Sequence, residues 1–418
     1  MNTRILVMVM LVVIYILSNK VLAQKHKTSI LKSGTWRGIL QRPDGNQIIF
    51  NFVTELKNNR QLLYVLNGTE RLLVDSVTQK MDSVFIQMPF FNSIFNARIK
   101  TNGDLEGVFI KKSNAINRET PFTAKFGSRS RYLPKVKPAF NLSGKWAVTF
   151  ERKNNSETQA VGEFVQDKNG KITGTFLTPT GDYRFLEGTV SGDSLKLSAF
   201  DGDHAVLFSA KADDANTMKE GALFSGLMFT QKWSAKRDSD AQLPDSYSIT
   251  VMREGESKLN FRFPSTNGDT VSINDERYKN KVVIIQLMGS WCPNCMDETA
   301  FLSDWYKKNK NRGVEIIGLA YEITDNFEAA KKGLSTFQKR FDVTYPFLIT
   351  GVKVSDERKT EKTLPQVEKI KGFPTTIFIG KDGKVNKINT GFNGPGSGVY
   401  YEEFKREFEN EVTQMLQK

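Results

Sequence analysis

Residues 30 to 236 are written twice. "SGTWRGIL" at 33–40 returns 110 positions later as "SGKWAVTF" at 143–150, and the downstream segments correspond in order. "QIIFNFV" (47–53) parallels "QAVGEFV" (159–165), "LLYVLN" (62–67) parallels "ITGTFLT" (172–178), and "RLLVDSV" (71–77) parallels "RFLEGTV" (184–190). "SVFIQM" (83–88) answers to "SLKLSAF" (194–200), and "PFTAKFG" (121–127) to "MFTQKWS" (228–234). Each run is short and alternates apolar with polar residues between turn formers, which is the period of a strand with one buried face. About eight such runs per unit predict two antiparallel β-meanders, each closing as a small barrel around its own core. The expected units are 30–130 and 140–236. "RYLPKVKP" (131–138) links them, and "KRDSDAQLPDS" (236–246) separates both from the C-terminal part of the chain.

From Leu259 the texture changes to strands alternating with amphipathic helices, the pattern of βαβ units, which predicts a third, α/β domain over 259–418. "LNFRFPSTNGDTVSI" (259–273) reads as a hairpin turning at Asn267-Gly268. "KVVIIQLMG" (281–289) is a buried strand. A helix over 293–312 stops at Gly313, and "VEIIGLAYE" (314–322) is the next strand. A helix over 325–341, a strand over 345–350, a hairpin over 375–390 and a terminal helix over 400–417 complete the domain.

The only two cysteines, Cys292 and Cys295, stand where that first strand hands over to its helix. A bridge between them closes too small a loop to constrain an unfolded chain, so stapling does not account for the pair. A structural zinc site asks for four ligands, and His26 and His204, the only histidines, lie far off in sequence; no metal is expected. A reactive dithiol does account for it. Cys292 falls at the N-cap with Pro293 at the first helical position, so an exposed sulfur there meets free backbone N–H groups and the positive end of the helix dipole, which lower its pKa. Cys295, one turn on, is close enough to bond to it, and releases a mixed disulfide formed at Cys292. Glu298 shares the face of Cys295 and, if buried, is a base with a raised pKa; Asp297 lies off that face. "GFPTT" places Phe373 and Pro374 before the strand at 375. Trp291, beside Cys292, offers a half-exposed apolar surface to a substrate chain.

The first 23 residues carry Arg4, an unbroken apolar run from Ile5 to Leu17, and Ala23 before Gln24, the layout of a cleaved secretory signal. The apolar run is shorter than the ~20 residues of a spanning helix, so membrane attachment is expected only if the segment is retained. The mature chain is then expected in the periplasm or an equivalent exported compartment of a bacterial envelope. The formal charge of +13 is spread among acids along the chain, and its densest cluster, "KKNKNR" (307–312), sits at a helix end where cations complement the dipole. It describes a solvated basic surface and points to no nucleic acid.

Two parts of the chain resemble known families. Gly34/Trp36 and Gly144/Trp146 resemble the first-strand signature of lipocalin-type barrels, in which the tryptophan plugs the barrel bottom. The stretch 259–418 resembles the thioredoxin superfamily and, within it, the TlpA/ResA-type exported thiol-disulfide oxidoreductases. That resemblance rests on "FPSTNGDTVSI", Trp291-Cys292-Pro293-Asn294-Cys295, Glu298, Gly372-Phe373-Pro374-Thr375 and the Gly-Lys-Asp-Gly hairpin at 380–383. It implies a cis Pro374 against the dithiol, Cys292 as nucleophile, Cys295 as resolving thiol, Glu298 as acid-base group, and Trp291, Phe373 and Pro374 as substrate contacts. It further implies no cofactor, exchange in the reducing direction with cysteines of envelope proteins, and an upstream thiol donor of electrons. Three features depart from the pattern. Gln286 stands where thioredoxins place a buried Asp, so proton handling falls to Glu298 or water. Asn294 keeps an N–H that can point at the Cys292 sulfur. "VKVSDERKTEKTLPQVEKIK" (352–371) inserts charged sequence expected to cover part of the substrate groove. The alternative reading is a ligand- or partner-binding envelope protein whose thioredoxin-like part docks or senses redox state.

Overall fold

The computed structural model describes residues 31–90, 92–112, 117–152 and 156–418; the secretory-signal reading of residues 1–23 lies outside them. The first repeat forms β1 (Gly34–Gln41), β2 (Gln47–Lys57), β3 (Arg60–Asn67), β4 (Glu70–Val74), β5 (Ser76–Lys80), β6 (Ser83–Gln87), β7 (Ser93–Ile99), β8 (Leu105–Lys111) and β9 (Arg118–Phe126). β1 pairs with both β2 and β9, and the sheet ends at β4 on one side and β5 on the other. Only Asp75 separates those two strands, so one bent run joins both ends of a barrel-like sheet.

The second repeat supplies β10 (Gly144–Glu151), β11 (Glu157–Gln166), β12 (Lys171–Thr178), β13 (Gly181–Asp182), β14 (Leu186–Ser191), β15 (Ser194–Phe200), β16 (Ala205–Ala212), β17 (Thr217–Ser225) and β18 (Phe229–Arg237). Here β10 pairs with β11 and β18, and β11 also pairs with β12, which closes the ring. The two-residue β13 doubles back on the end of β12.

Both barrels use the same plug. Trp36 and Trp146 are fully buried at the start of their first strands, and each indole N–H donates to the carbonyl four residues earlier, Lys32 at 3.3 Å and Leu142 at 3.0 Å. That satisfies the one polar atom a buried indole carries. Aromatic side chains fill the interiors: Phe50, Phe95 and Phe122 in the first barrel, Phe164, Phe176 and Phe208 in the second. The barrels are packed cores in the manner of small closed sheets. Phe200 of the second barrel joins the core of the first, 4.5 Å from Phe50 between ring centroids, so the two barrels share an interface with an apolar centre.

The third domain begins with a hairpin, β19 (Arg262–Pro264) and β20 (Thr270–Ser272). Its central sheet runs in the order β23 (Phe347–Ile349), β22 (Val314–Ala320), β21 (Val282–Met288), β24 (Thr375–Ile379), β25 (Val385–Thr390). The first three are mutually parallel, and β24 and β25 run antiparallel. Helices α1 (Pro293–Asn309), α2 (Phe327–Phe341) and α4 (Val399–Gln417) pack on one face. The charged insertion contains the short α3 (Lys359–Thr363) and buries Leu364, Val367 and Ile370 against the other face. Together with Leu259, Phe261 and Val271, these three apolar residues close the second side of the sheet, in the cluster that Phe373 also packs against.

Replacing Trp146 by Ala removes the barrel plug and leaves a cavity that the surrounding strands cannot collapse to fill, at a cost of about 3–5 kcal/mol. Near-ultraviolet circular dichroism in urea should show the β-half transition moving to lower denaturant.

Candidate functional site: an enclosed dithiol at a helix N-terminus

β21 is buried along its whole length and ends at Met288, after which a short turn delivers the chain to α1. Ser290 fixes that turn, its N–H and hydroxyl each donating at 2.7 Å to the buried Glu322 carboxylate. Burial pushes the Glu322 carboxyl up, against the pull of those two hydrogen bonds. Cys292 is the N-cap and Pro293 the first helical residue. The Cys292 sulfur accepts the Cys295 N–H at 3.2 Å and is joined to Cys295 as a disulfide, with the two Cα atoms 5.2 Å apart. The amide reaching the sulfur is thus that of Cys295; Asn294 uses its side chain elsewhere.

The Phe373–Pro374 peptide is cis, and the Phe373 carbonyl oxygen lies 3.8 Å from the Cys292 sulfur. Trp291 is half-buried, with its indole N–H donating to the Tyr321 carbonyl at 2.8 Å and its ring edge-on to Phe373 at 5.9 Å. Behind the disulfide sits a buried polar network. Gln286 donates to one Glu298 oxygen at 2.8 Å and accepts from Thr299 at 3.0 Å, while Thr376 donates to the other Glu298 oxygen at 2.6 Å. Gln286 also donates to the Cys295 carbonyl at 3.3 Å, so the residue that replaces a titrating Asp in the strand connects Glu298 to the helix turn carrying the dithiol. Glu298 is 0 % exposed, and burial pushes its carboxyl up to about 7 although both hydrogen bonds favour the charged form. All six expected site residues therefore meet around one turn of α1.

One expectation is overturned. Cys292 is 4 % exposed: it packs in the core cluster of its own domain and faces a cavity that Asp182, Tyr183 and Arg184 of the second barrel help to line. Asn294 donates to the carbonyls of Asp182 and Phe392, both at 3.2 Å. Gly181 must be glycine for this approach: a Cβ there would stand 2.1 Å from the Asn294 amide nitrogen. Arg184 donates to Asp297 on α1 and to Glu70 on β4 of the first barrel, so a single guanidinium ties all three domains together. Burial works against the Arg184 charge, and Asp297 and Glu70 outweigh it and hold the guanidinium protonated. Burial likewise lifts the Asp297 carboxyl to about 7 against the pull of Arg184, with Asp182 and Glu70 adding like charge. Sequence reading missed Arg184, Asp182 and Glu70. The one trace of them is that the connection after β12 is two residues longer than its counterpart in the first repeat, five (179–183) against three (68–70) between the paired segments.

Residues 253–402 match the Redoxin family model. The thiol-disulfide oxidoreductase ResA of Bacillus subtilis (strain 168) is 29 % identical over 138 residues, covering 33 % of this chain and 68 % of the relative. ResA of Bacillus thuringiensis subsp. konkukian (strain 97-27) is 31 % identical over 134 residues, covering 32 % and 68 %. The chain belongs to the ResA-type thiol-disulfide oxidoreductases. Its membership runs through the C-terminal domain, and the β half lies outside the match. Among solved structures, a thiol-disulfide oxidoreductase from Bacteroides fragilis NCTC 9343 aligns at 20 % identity and TM-score 0.28, covering 36 % of this chain and 99 % of that one. The thioredoxin domain of a thiol-disulfide oxidoreductase from Bacteroides vulgatus aligns at 22 % and 0.27, covering 37 % and 99 %.

The oxidoreductase domain should carry the pH signature of its buried acid. With a folded-state pKa of about 7 against 4.5, Glu298 favours folding fully below pH 4.5, and that contribution is lost as pH rises through 7, up to about 3 kcal/mol. Glu298→Gln should therefore gain stability on wild type at pH 8 and none at pH 4. Urea unfolding at the two pH values checks this, and equal differences at both would refute the raised pKa.

Proposed function

We propose that this oxidoreductase works outside the cytoplasm as a reductant of disulfides in bacterial envelope proteins, with Cys292 as nucleophile, Cys295 as resolving thiol and Glu298 as the acid-base group. The observation that carries the assignment is the placement of the Cys292 sulfur: it caps α1, takes the Cys295 N–H and lies 3.8 Å from the carbonyl before cis Pro374. A sulfur at a helix N-terminus is stabilised as thiolate by that amide and by the dipole, which suits it to attack. In the reduced enzyme the Cys292 thiolate attacks one sulfur of a client disulfide and the other client sulfur leaves as a thiol. Cys295, its proton passed to the Glu298 carboxylate, then displaces the second client sulfur from Cys292. The client ends as a dithiol and the enzyme as the Cys292–Cys295 disulfide, the form this structure holds. Two electrons from an upstream dithiol donor restore it. Trp291, Phe373 and Pro374 form the apolar contact surface for the client cysteine. No metal or organic cofactor has a role in this exchange.

Export is supported by Arg4, the apolar run from Ile5 to Leu17 and Ala23 before Gln24. No helix among the described residues is long and apolar enough to cross a membrane. N-terminal sequencing of protein from an envelope fraction should begin at Gln24.

Cys292→Ser should lower insulin reduction by roughly three orders of magnitude or more, to the level of the added reductant alone. Cys295→Ser should accumulate mixed disulfides with exported proteins, and Glu298→Gln should slow the resolving step by about a hundredfold. Turnover surviving in Cys292→Ser would remove the assignment.

A further inference from the structure

The dithiol of this oxidoreductase is walled in by its own β half. The turn between β12 and β13 lies across the cis-proline loop, where an extended client chain would have to run. A Cβ at Gly372 would come within 2.6 Å of the Thr180 methyl carbon, and Gly391 is as closely approached by the Pro179 carbonyl, 2.8 Å from its would-be Cβ. On the other side of the disulfide, Asn294 is bonded to Asp182. What remains beside Cys292 is a cavity of about 290 Å³, bounded by Asn67 and Glu70 of the first barrel, Asp182 and Arg184 of the second, and Phe373 of the oxidoreductase domain. That lies at the small end of the range of roughly 300–1,000 Å³ typical of small-molecule sites.

We infer that the docked β half makes the dithiol selective for low-molecular-weight disulfides, and that a protein disulfide reaches Cys292 only when the Arg184 link to α1 is broken and the β12–β13 turn leaves the cis-proline loop. The inference rests on the oxidoreductase reading above and adds the rule of access. In the docked state the Cys292 thiolate attacks a small disulfide RSSR, one RS⁻ departs and takes up a proton, and Cys295 displaces the second RS⁻ from the mixed disulfide. Two small thiols are released and one protein disulfide forms, so a single turnover from the reduced enzyme needs no other redox partner. For protein clients the rate scales with the undocked fraction; if that is a tenth or less, access falls about tenfold or more.

The test is single-turnover oxidation of the full chain, reduced with a phosphine and freed of it, then mixed with excess hydroxyethyl disulfide or with insulin; thiols are counted by mass after an alkylating quench. Hydroxyethyl disulfide should oxidise the wild-type pair, and Arg184→Ala should raise the ratio of insulin rate to hydroxyethyl disulfide rate by roughly tenfold. An unchanged ratio in the folded variant would overturn the inference. Labelling of reduced wild type provides the second measurement, independent of whether that variant folds. Iodoacetamide should modify Cys292 while a polyethylene-glycol maleimide lags until urea is added, and equal access for both in the native protein would overturn the inference as well. If neither disulfide oxidises the dithiol in wild type or variant, the oxidoreductase reading fails, while the labelling contrast still decides the question of access.

Discussion

A buried guanidinium is costly to leave unpaired, and Arg184 finds its two carboxylate partners in two other domains. Glu70 reaches it from the first barrel and Asp297 from the helix behind the dithiol. Taking such charges out of water is expensive, so the cluster adds little net stability, but removing one member leaves an uncompensated buried charge at a cost of about 3–5 kcal/mol. The consequence is positional. The arrangement of the three bodies is the one that pairs this guanidinium, and Asn294 on Asp182 and Tyr400 on Glu163 at 2.6 Å add further contacts between the second barrel and the oxidoreductase domain.

Two adjacent carboxylates divide the work because successive helical residues point about 100° apart. Glu298 turns inward to Gln286 and Thr376 in the sheet. Asp297 turns outward to Arg184 and serves the interface. Burial lifts both into the neutral pH range, yet for different ends: one sits beside hydroxyl and amide groups that tolerate either protonation state, the other beside a permanent cation. The chemistry of the pair and the closure of the site are thus read from the same two positions of one helix turn.

The β half packs against the oxidoreductase domain beside its dithiol. Thr180 and Gly181 occupy space at the cis-proline loop and the helix N-terminus that would otherwise be open to solvent. The Cys292 sulfur at the N-terminus of α1 thus lies beside a loop of a different domain.

Local pattern determined most of the fold. The period-two runs and their recurrence at an offset of 110 residues specified two β-barrels, since a strand's buried face must alternate wherever it sits. The strand, Cys292, Pro293, one-turn spacing to Cys295, and Phe373-Pro374 specified the dithiol and its loop, because helix capping and i,i+3 proximity are short-range geometry. Glu298 was legible for the same reason, as a residue on the face of Cys295. Exposure was not legible. The surroundings of the N-cap sulfur include Arg184, paired with residues 114 positions before it and 113 after it, and Gly181, which accepts Asn294 at close range. The packing of 352–371 was not legible either, since charge along that segment conceals Leu364, Val367 and Ile370 closing the sheet beneath it. Contacts between domains carry no periodicity along the chain; they arise only when separately folded surfaces meet, and the contacts of the β half around this dithiol are of that kind.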